Sequence, residues 1–150
     1  MSTNALFSFF HFIAAFGVVY TVVFELLTFQ KNLSLLDAKK IQKVDMIYGL
    51  SAGLVLLIGF LRVFYFEKGS DFYFSNFFFL LKIGTFLVVG GLSIYPTITF
   101  AKWQKFTNKG EVPIISDSQF KWIKLLLKLE LIGLIVIMLA ASMMAKGIGF

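Results

Sequence analysis

Apolar residues fill four long stretches of this chain, and polar residues are pushed into the gaps between them. The stretches run from about residue 5 to 29, 46 to 66, 77 to 101 and 123 to 145. A bilayer core roughly 30 Å thick needs about 20 apolar residues in a helix, and each stretch is long enough. Short connections make neighbouring helices antiparallel. The pattern therefore predicts an all-α integral membrane protein, a four-helix bundle of up-down-up-down topology. The longest gap, Lys102 to Trp122, leaves no soluble domain over, so residues 1–150 read as one transmembrane domain. The first stretch lacks a basic leader and is too long for the core of an ordinary signal peptide. It also carries His11 and Glu25, so it reads as a span that is kept.

Composition agrees. The chain is 59% hydrophobic with a mean hydropathy of +0.87, against about 45–50% apolar in soluble domains. With 15% charged residues, a globule could not cover its surface, and lipid is the natural solvent for the surplus. The lack of cysteine excludes disulfides, thiolate metal sites and cysteine nucleophiles. A single histidine excludes HExxH and three-histidine zinc sites. No Walker sequence is present, and a serine triad has no partners in one place, so a hydrolase is not expected.

The net charge of +6 forms no basic stripe with interleaved aromatics, so nucleic acid is not a partner. The lysines sit in the gaps instead. The first gap holds Lys31, Lys39, Lys40 and Lys43, and the third holds Lys102, Lys105, Lys109 and Lys121, with Lys124 just beyond. The second holds Lys68, balanced by Glu67 and Asp71. The positive-inside rule places gaps one and three in the cytoplasm and both termini outside, in a bacterial inner membrane. Trp103 and Trp122 fall where an aromatic belt lies. Pro96 is expected to bend the third helix or free a carbonyl.

In lipid, helices associate through close packing. Gly49 and Gly53, then Gly84, Gly90 and Gly91, then Gly133, Ala140 and Ala141 offer small faces for it. Plain packing is the expectation for nearly all of them, although a glycine-lined face can also admit a flat cofactor between helices.

Ionisable groups at membrane depth are costly and mark function or a buried pair. They sort into two layers. The outer layer holds His11, Arg62 and Lys82, within roughly 6–9 Å of the outer boundary, with Met143 and Met144 at a similar level. Two cations beside one histidine want an anion such as a carboxylate or phosphate, although Arg62 and Lys82 can also snorkel to the headgroups. The inner layer holds Glu25, Asp45, Lys124, Lys128 and Glu130. Glu130 shares a helix face with Gly133, Ile137, Ala141 and Met144, while Lys128 points about 200° away. Glu25, Asp45 and Glu130 are candidates to share protons or pair with a lysine. Lys124 and Lys128 are expected to snorkel outward.

Several phrases carry a resemblance. They are His11-Phe12 with Ala14-Ala15-Phe16, the DMIYG of Asp45 to Gly49, the GFLRVFYFEKG of Gly59 to Gly69, Lys82 in FFFLLKIG, the SIYP ending at Pro96, and Leu129-Glu130-Leu131 ahead of MMAKGIG. In this order, over essentially the whole chain, they resemble a bacterial family of predicted four-helix membrane proteins without an assigned reaction. The early histidine and the lysine early in the third span also resemble the HemJ family of small membrane protoporphyrinogen oxidases and related four-helix cytochrome b-like bundles.

The second resemblance implies a haem b or porphyrin bound in the outer half. His11 would be the axial iron ligand, Arg62 and Lys82 partners of propionates or substrate, and Met143 or Met144 a second ligand. Lys82 would be a candidate for the chemistry. One histidine is too few for a diheme protein. The resulting role is redox, by porphyrinogen oxidation or electron transfer. The other reading is an accessory or assembly subunit, or a small proton-coupled transporter built as a homodimer, in which Glu25, Asp45 and Glu130 carry protons or fix a partner helix.

Overall fold

The computed structural model describes residues 3–66 and 69–150, Phe66 by its backbone alone. Glu67 and Lys68, the charged pair of the second gap, lie outside the described residues. Helix α1 spans Thr3–Thr28 and α2 spans Leu35–Leu61, running on into a π-helical turn at Arg62–Phe66. A short α3 (Ser70–Phe74) leads into α4 (Phe77–Lys102), and a short α5 (Gln104–Thr107) precedes α6 (Asp117–Ala145). No strand occurs among the described residues. Four helices are long and apolar enough to cross a membrane.

Three helices begin on side-chain caps. Ser34 Oγ accepts the Asp37 N–H at 3.0 Å, and Ser116 Oγ accepts that of Gln119 at 3.2 Å. Asn76 Oδ1 takes both Phe78 N–H (3.0 Å) and Phe79 N–H (3.2 Å). Each cap satisfies donors that a helix start leaves open. The caps start α2 at residue 35, well before the apolar stretch at 46, and α6 at 117 instead of 123. Hydropathy marks the lipid-embedded part of a helix, whereas lysine and glutamine are good enough helix formers to extend it. The last residues fold back onto α4: Asn76 Nδ2 donates to Ile148 O at 3.0 Å, and Phe77 N to Gly149 O at 2.9 Å.

Helices α1 and α2 form one close pair and α4 and α6 another, with α1 against α6 joining them. Each pair has a point of closest approach at a glycine. A Cβ on Gly17 would lie 2.6 Å from Ser51 Oγ, and one on Gly133 would lie 2.4 Å from Val89 Cγ2. Gly49, Gly53, Gly84, Gly90 and Gly91 have nothing within 4 Å of such a Cβ. The Gly49–Gly53 pair therefore does not hold helices of this chain together. Gly49, Gly53 and Gly90 instead line a groove of about 350 Å³ between α2 and α4.

Three apolar clusters stack along the bundle. Phe29, Ile41, Phe100, Trp103, Ile123 and Leu127 belong to the cluster at the lysine-rich end. Val18, Val22, Tyr48, Val89 and Leu134 make the middle one, and Val63, Tyr73 and Phe79 the one at the opposite end. Trp103 belongs to the first, 4% exposed and stacked on Phe29 at 6.1 Å between ring centroids. It is a core residue and not the belt residue the sequence suggested, while Trp122, 56% exposed, fits a belt. Pro96 is buried within an uninterrupted α4.

The two classes of glycine differ measurably. Gly133→Ala is expected to destabilise the protein in detergent by about 1–3 kcal/mol, since Val89 is stiff and must shift. Gly53→Ala should be neutral or slightly stabilising, helix propensity favouring alanine by up to about 1 kcal/mol. Thermal unfolding of both variants checks this, and equal losses would contradict the packing described.

Candidate functional site

Between the apolar cluster at the lysine-rich end and the middle cluster, each long helix contributes a polar side chain to one layer. On α1 it is Glu25, between Val22 and Phe29, and on α2 it is Asp45, between Ile41 and Tyr48. On α4 it is Thr97, next to Phe100, and on α6 it is Glu130, between Leu127 and Leu134. Glu25 is 2% exposed, Glu130 1% and Asp45 8%. Asp45 and Glu130 stand near enough to Glu25 to repel it, and Asp45 acts likewise on Glu130. Helical spacing dictates this burial: each acid lies on its helix's inward face, three or four residues from core positions on either side.

Partners are unequal. Thr97 Oγ1 donates to Asp45 Oδ1 at 2.7 Å. Glu25 Oε1 and Glu130 Oε1 are buried and accept no hydrogen bond among the described residues. None of the three acids forms an ion pair there; Lys31 pairs with Asp117, and Lys40 with Asp37 at 3.8 Å. The expected pairing with a lysine is thus absent among the described residues. Lys128 is exposed, as snorkelling requires. Lys124 instead turns onto α1, donating to Leu26 O at 2.5 Å. A buried polar atom without a partner costs about 1–3 kcal/mol, and a site retaining two such atoms is a functional candidate.

Asp45 belongs to a polar seam joining α2 to α4 and α5. Gln42 Nε2 donates to Phe100 O at 2.9 Å, and Thr107 Oγ1 donates to Gln42 Oε1 at 3.0 Å. Tyr48 lines the same α2–α4 side as Ser93, whose Oγ donates to Gly90 O at 2.7 Å. Gln42, Asp45 and Tyr48 recur every three residues along α2. That periodicity, with Asp45 already a candidate, was the available signal for Gln42 and Tyr48. The glycine-lined groove opens on this same side and reaches Tyr48, Ser93 and Thr97.

The outer residues are placed differently. The half-buried His11 lies against α2, its Cε1 3.3 Å from where a Cβ on Gly59 would stand. Arg62, one helical turn beyond Gly59, opens the π-helical turn that α1 also touches. Lys82 Nζ sits 5.1 Å from the Phe79 ring centroid, and Met144 packs against the cluster that contains Phe79. The space that Gly59 leaves is thus taken by the imidazole itself. Neither the α2–α4 groove nor a second groove beside Lys124 reaches His11, Arg62, Lys82 or Met144.

Burial without a partner makes a stability prediction. Glu130→Leu, of similar volume, is expected to raise stability by about 1–3 kcal/mol, measured by thermal unfolding. A loss of the same size would mean that the Glu130 carboxyl has a partner in the membrane.

Residues 3–149 match the model of a family described as a predicted membrane protein (DUF2214). No match was found among curated proteins or among solved structures. The chain belongs to this family of predicted membrane proteins.

Proposed function

From that membership and the buried acid layer, we propose that the protein is a small proton-handling carrier. Glu25, Asp45 and Glu130 take up and release protons inside the bundle. The observation that carries this reading is the pair of buried, unpartnered carboxyl oxygens on Glu25 and Glu130, held in one layer beside Asp45. An acid buried this way contributes little to stability, and proton relays in membrane proteins are built from such groups. Four spans leave little room for an inner path, so the working unit is a homodimer. Its lysine-rich loops face the cytoplasm of a bacterial inner membrane, with both termini outside.

The rival reading is a haem b or porphyrin protein with His11 as axial ligand, which rests on the HemJ resemblance. An oxidised and a dithionite-reduced spectrum of protein made in haem-replete cells separates the two. A Soret band abolished by His11→Ala would replace the proton reading.

The direct test uses liposomes with a trapped pH dye and an inward-negative potassium diffusion potential. Wild type is expected to acidify the lumen faster than protein-free vesicles. The double variant Glu25→Gln, Glu130→Gln should fall to their rate while keeping its elution profile. A folded double variant as active as wild type, or a wild type no faster than empty vesicles, would sink the proposal.

A further inference from the structure

A second feature lies at the surface of the lysine-rich end, where α1 and α6 diverge. A groove of about 540 Å³ is lined by Leu26 of α1 and by Phe120, Lys121, Lys124, Leu125 and Lys128 of α6. The lysine spacing of three and four residues puts all three on one face of α6, over about 10 Å of its length. The lining joins three cations to apolar walls from Leu26, Phe120 and Leu125.

The cations are held together with no anion to balance them. Lys124 and Lys128 are close enough to repel one another. No carboxylate pairs with Lys121, Lys124 or Lys128 among the described residues. The nearby Asp117 is engaged by Lys31, and Glu25 and Glu130 are buried inside the bundle. Lys124 is fixed in place. Its ammonium donates to Leu26 O, a carbonyl of the last turn of α1 that a helix end leaves open. It also sits 6.0 Å from the Phe29 ring centroid. Lys128 is exposed two helical turns deeper than Lys121, where acyl chains approach. A free phosphate would satisfy the ammoniums but leave the apolar walls bare, whereas a phospholipid satisfies both.

We propose that this groove binds an anionic phospholipid, its phosphate held by Lys121, Lys124 and Lys128 and an acyl chain lying along Leu26, Phe120 and Leu125. Binding is independent of the acid layer and holds whether or not the protein carries protons. Basic clefts between transmembrane helices at this level suit such headgroups.

Purified protein in a neutral detergent is titrated with phosphatidylglycerol, with phosphatidylcholine and with inorganic phosphate. Adducts are counted by native mass spectrometry, and thermal unfolding is followed in parallel. Phosphatidylglycerol is expected to bind and raise the unfolding temperature, with the other two doing neither. Lys121→Gln, Lys124→Gln, Lys128→Gln should weaken phosphatidylglycerol binding on the order of tenfold or more. Lys39→Gln, Lys40→Gln, Lys43→Gln, which removes as much charge from the same end, should leave it unchanged. If losing the Lys124 contact to Leu26 unfolds the triple variant, Lys121→Gln, Lys128→Gln keeps the test open, with a smaller loss in the same direction. Equal binding of both lipids, equal losses in the two triple variants, or a response to phosphate matching that to phosphatidylglycerol would overturn the proposal.

Discussion

In a bilayer no water is at hand to satisfy a polar group, so every polar side chain placed inside the bundle must find a partner there or remain costly. This constraint explains most of the structure. Thr21 Oγ1 returns its hydrogen bond to the Gly17 and Val18 carbonyls of its own helix, and Ser93 does the same to Gly90. Gln42 and Asp45 reach across to α4 and α5. Against that background Glu25 and Glu130 each keep a buried oxygen that accepts no hydrogen bond among the described residues.

The same constraint accounts for the unequal sides of the bundle. Helices α1–α2 and α4–α6 approach closely because Gly17 and Gly133 remove the side chain that would hold them apart, and in lipid close contact replaces burial from water as the force of association. The α2–α4 side has no such glycine contact and is joined by the polar seam of Gln42, Asp45, Thr97 and Thr107. The groove opens on the same side, lined by Ser93 and Thr97 as well as by Gly49, Gly53 and Gly90. Glycines there face open space, so their place in the helices is not explained by packing within one chain. A homodimer meeting along this side would give them a surface to pack on.

Much of this was legible in the sequence. Four apolar runs separated by lysine clusters define the spans, because lipid imposes a length and a composition together. The inward face of Glu130 followed from its register with Gly133, Ile137 and Ala141. What could not be read was contact across helices. Gly49 and Gly53 form the small-residue pair that sequence logic favours, yet the contacts are made by Gly133, which the sequence also offered, and by Gly17, which it did not, since spacing along one helix says nothing of which helix lies opposite. Trp103 looked like a belt residue by its position at a span's end, but the ring points into a cluster built by Phe29 and Phe100 from two other turns. Lys124 looked like a snorkelling lysine for the same reason, and it caps α1 instead. Thr97 drew no notice because a threonine in an apolar run is ordinary until an aspartate stands across from it.

The spacing of charges shows that the acids are kept unpaired by arrangement and not for want of cations. Lys43 precedes Asp45 by two residues, and Lys128 precedes Glu130 by two. Two residues along a helix is about 200° of rotation, so each lysine points away from the acid beside it. Moved two positions back, to four residues from the acid, either lysine would lie on the acid's own face, and a buried ion pair would form at the layer. A pair there would fix the carboxylate in its charged form and tie it to one geometry. The chain instead sends its lysines to the lipid and loop surfaces and leaves Glu25 and Glu130 enclosed by Val22, Phe29, Leu127 and Leu134. A carboxyl so enclosed gains little by staying charged and can change its proton without breaking a bridge, which is the property a proton-handling layer requires.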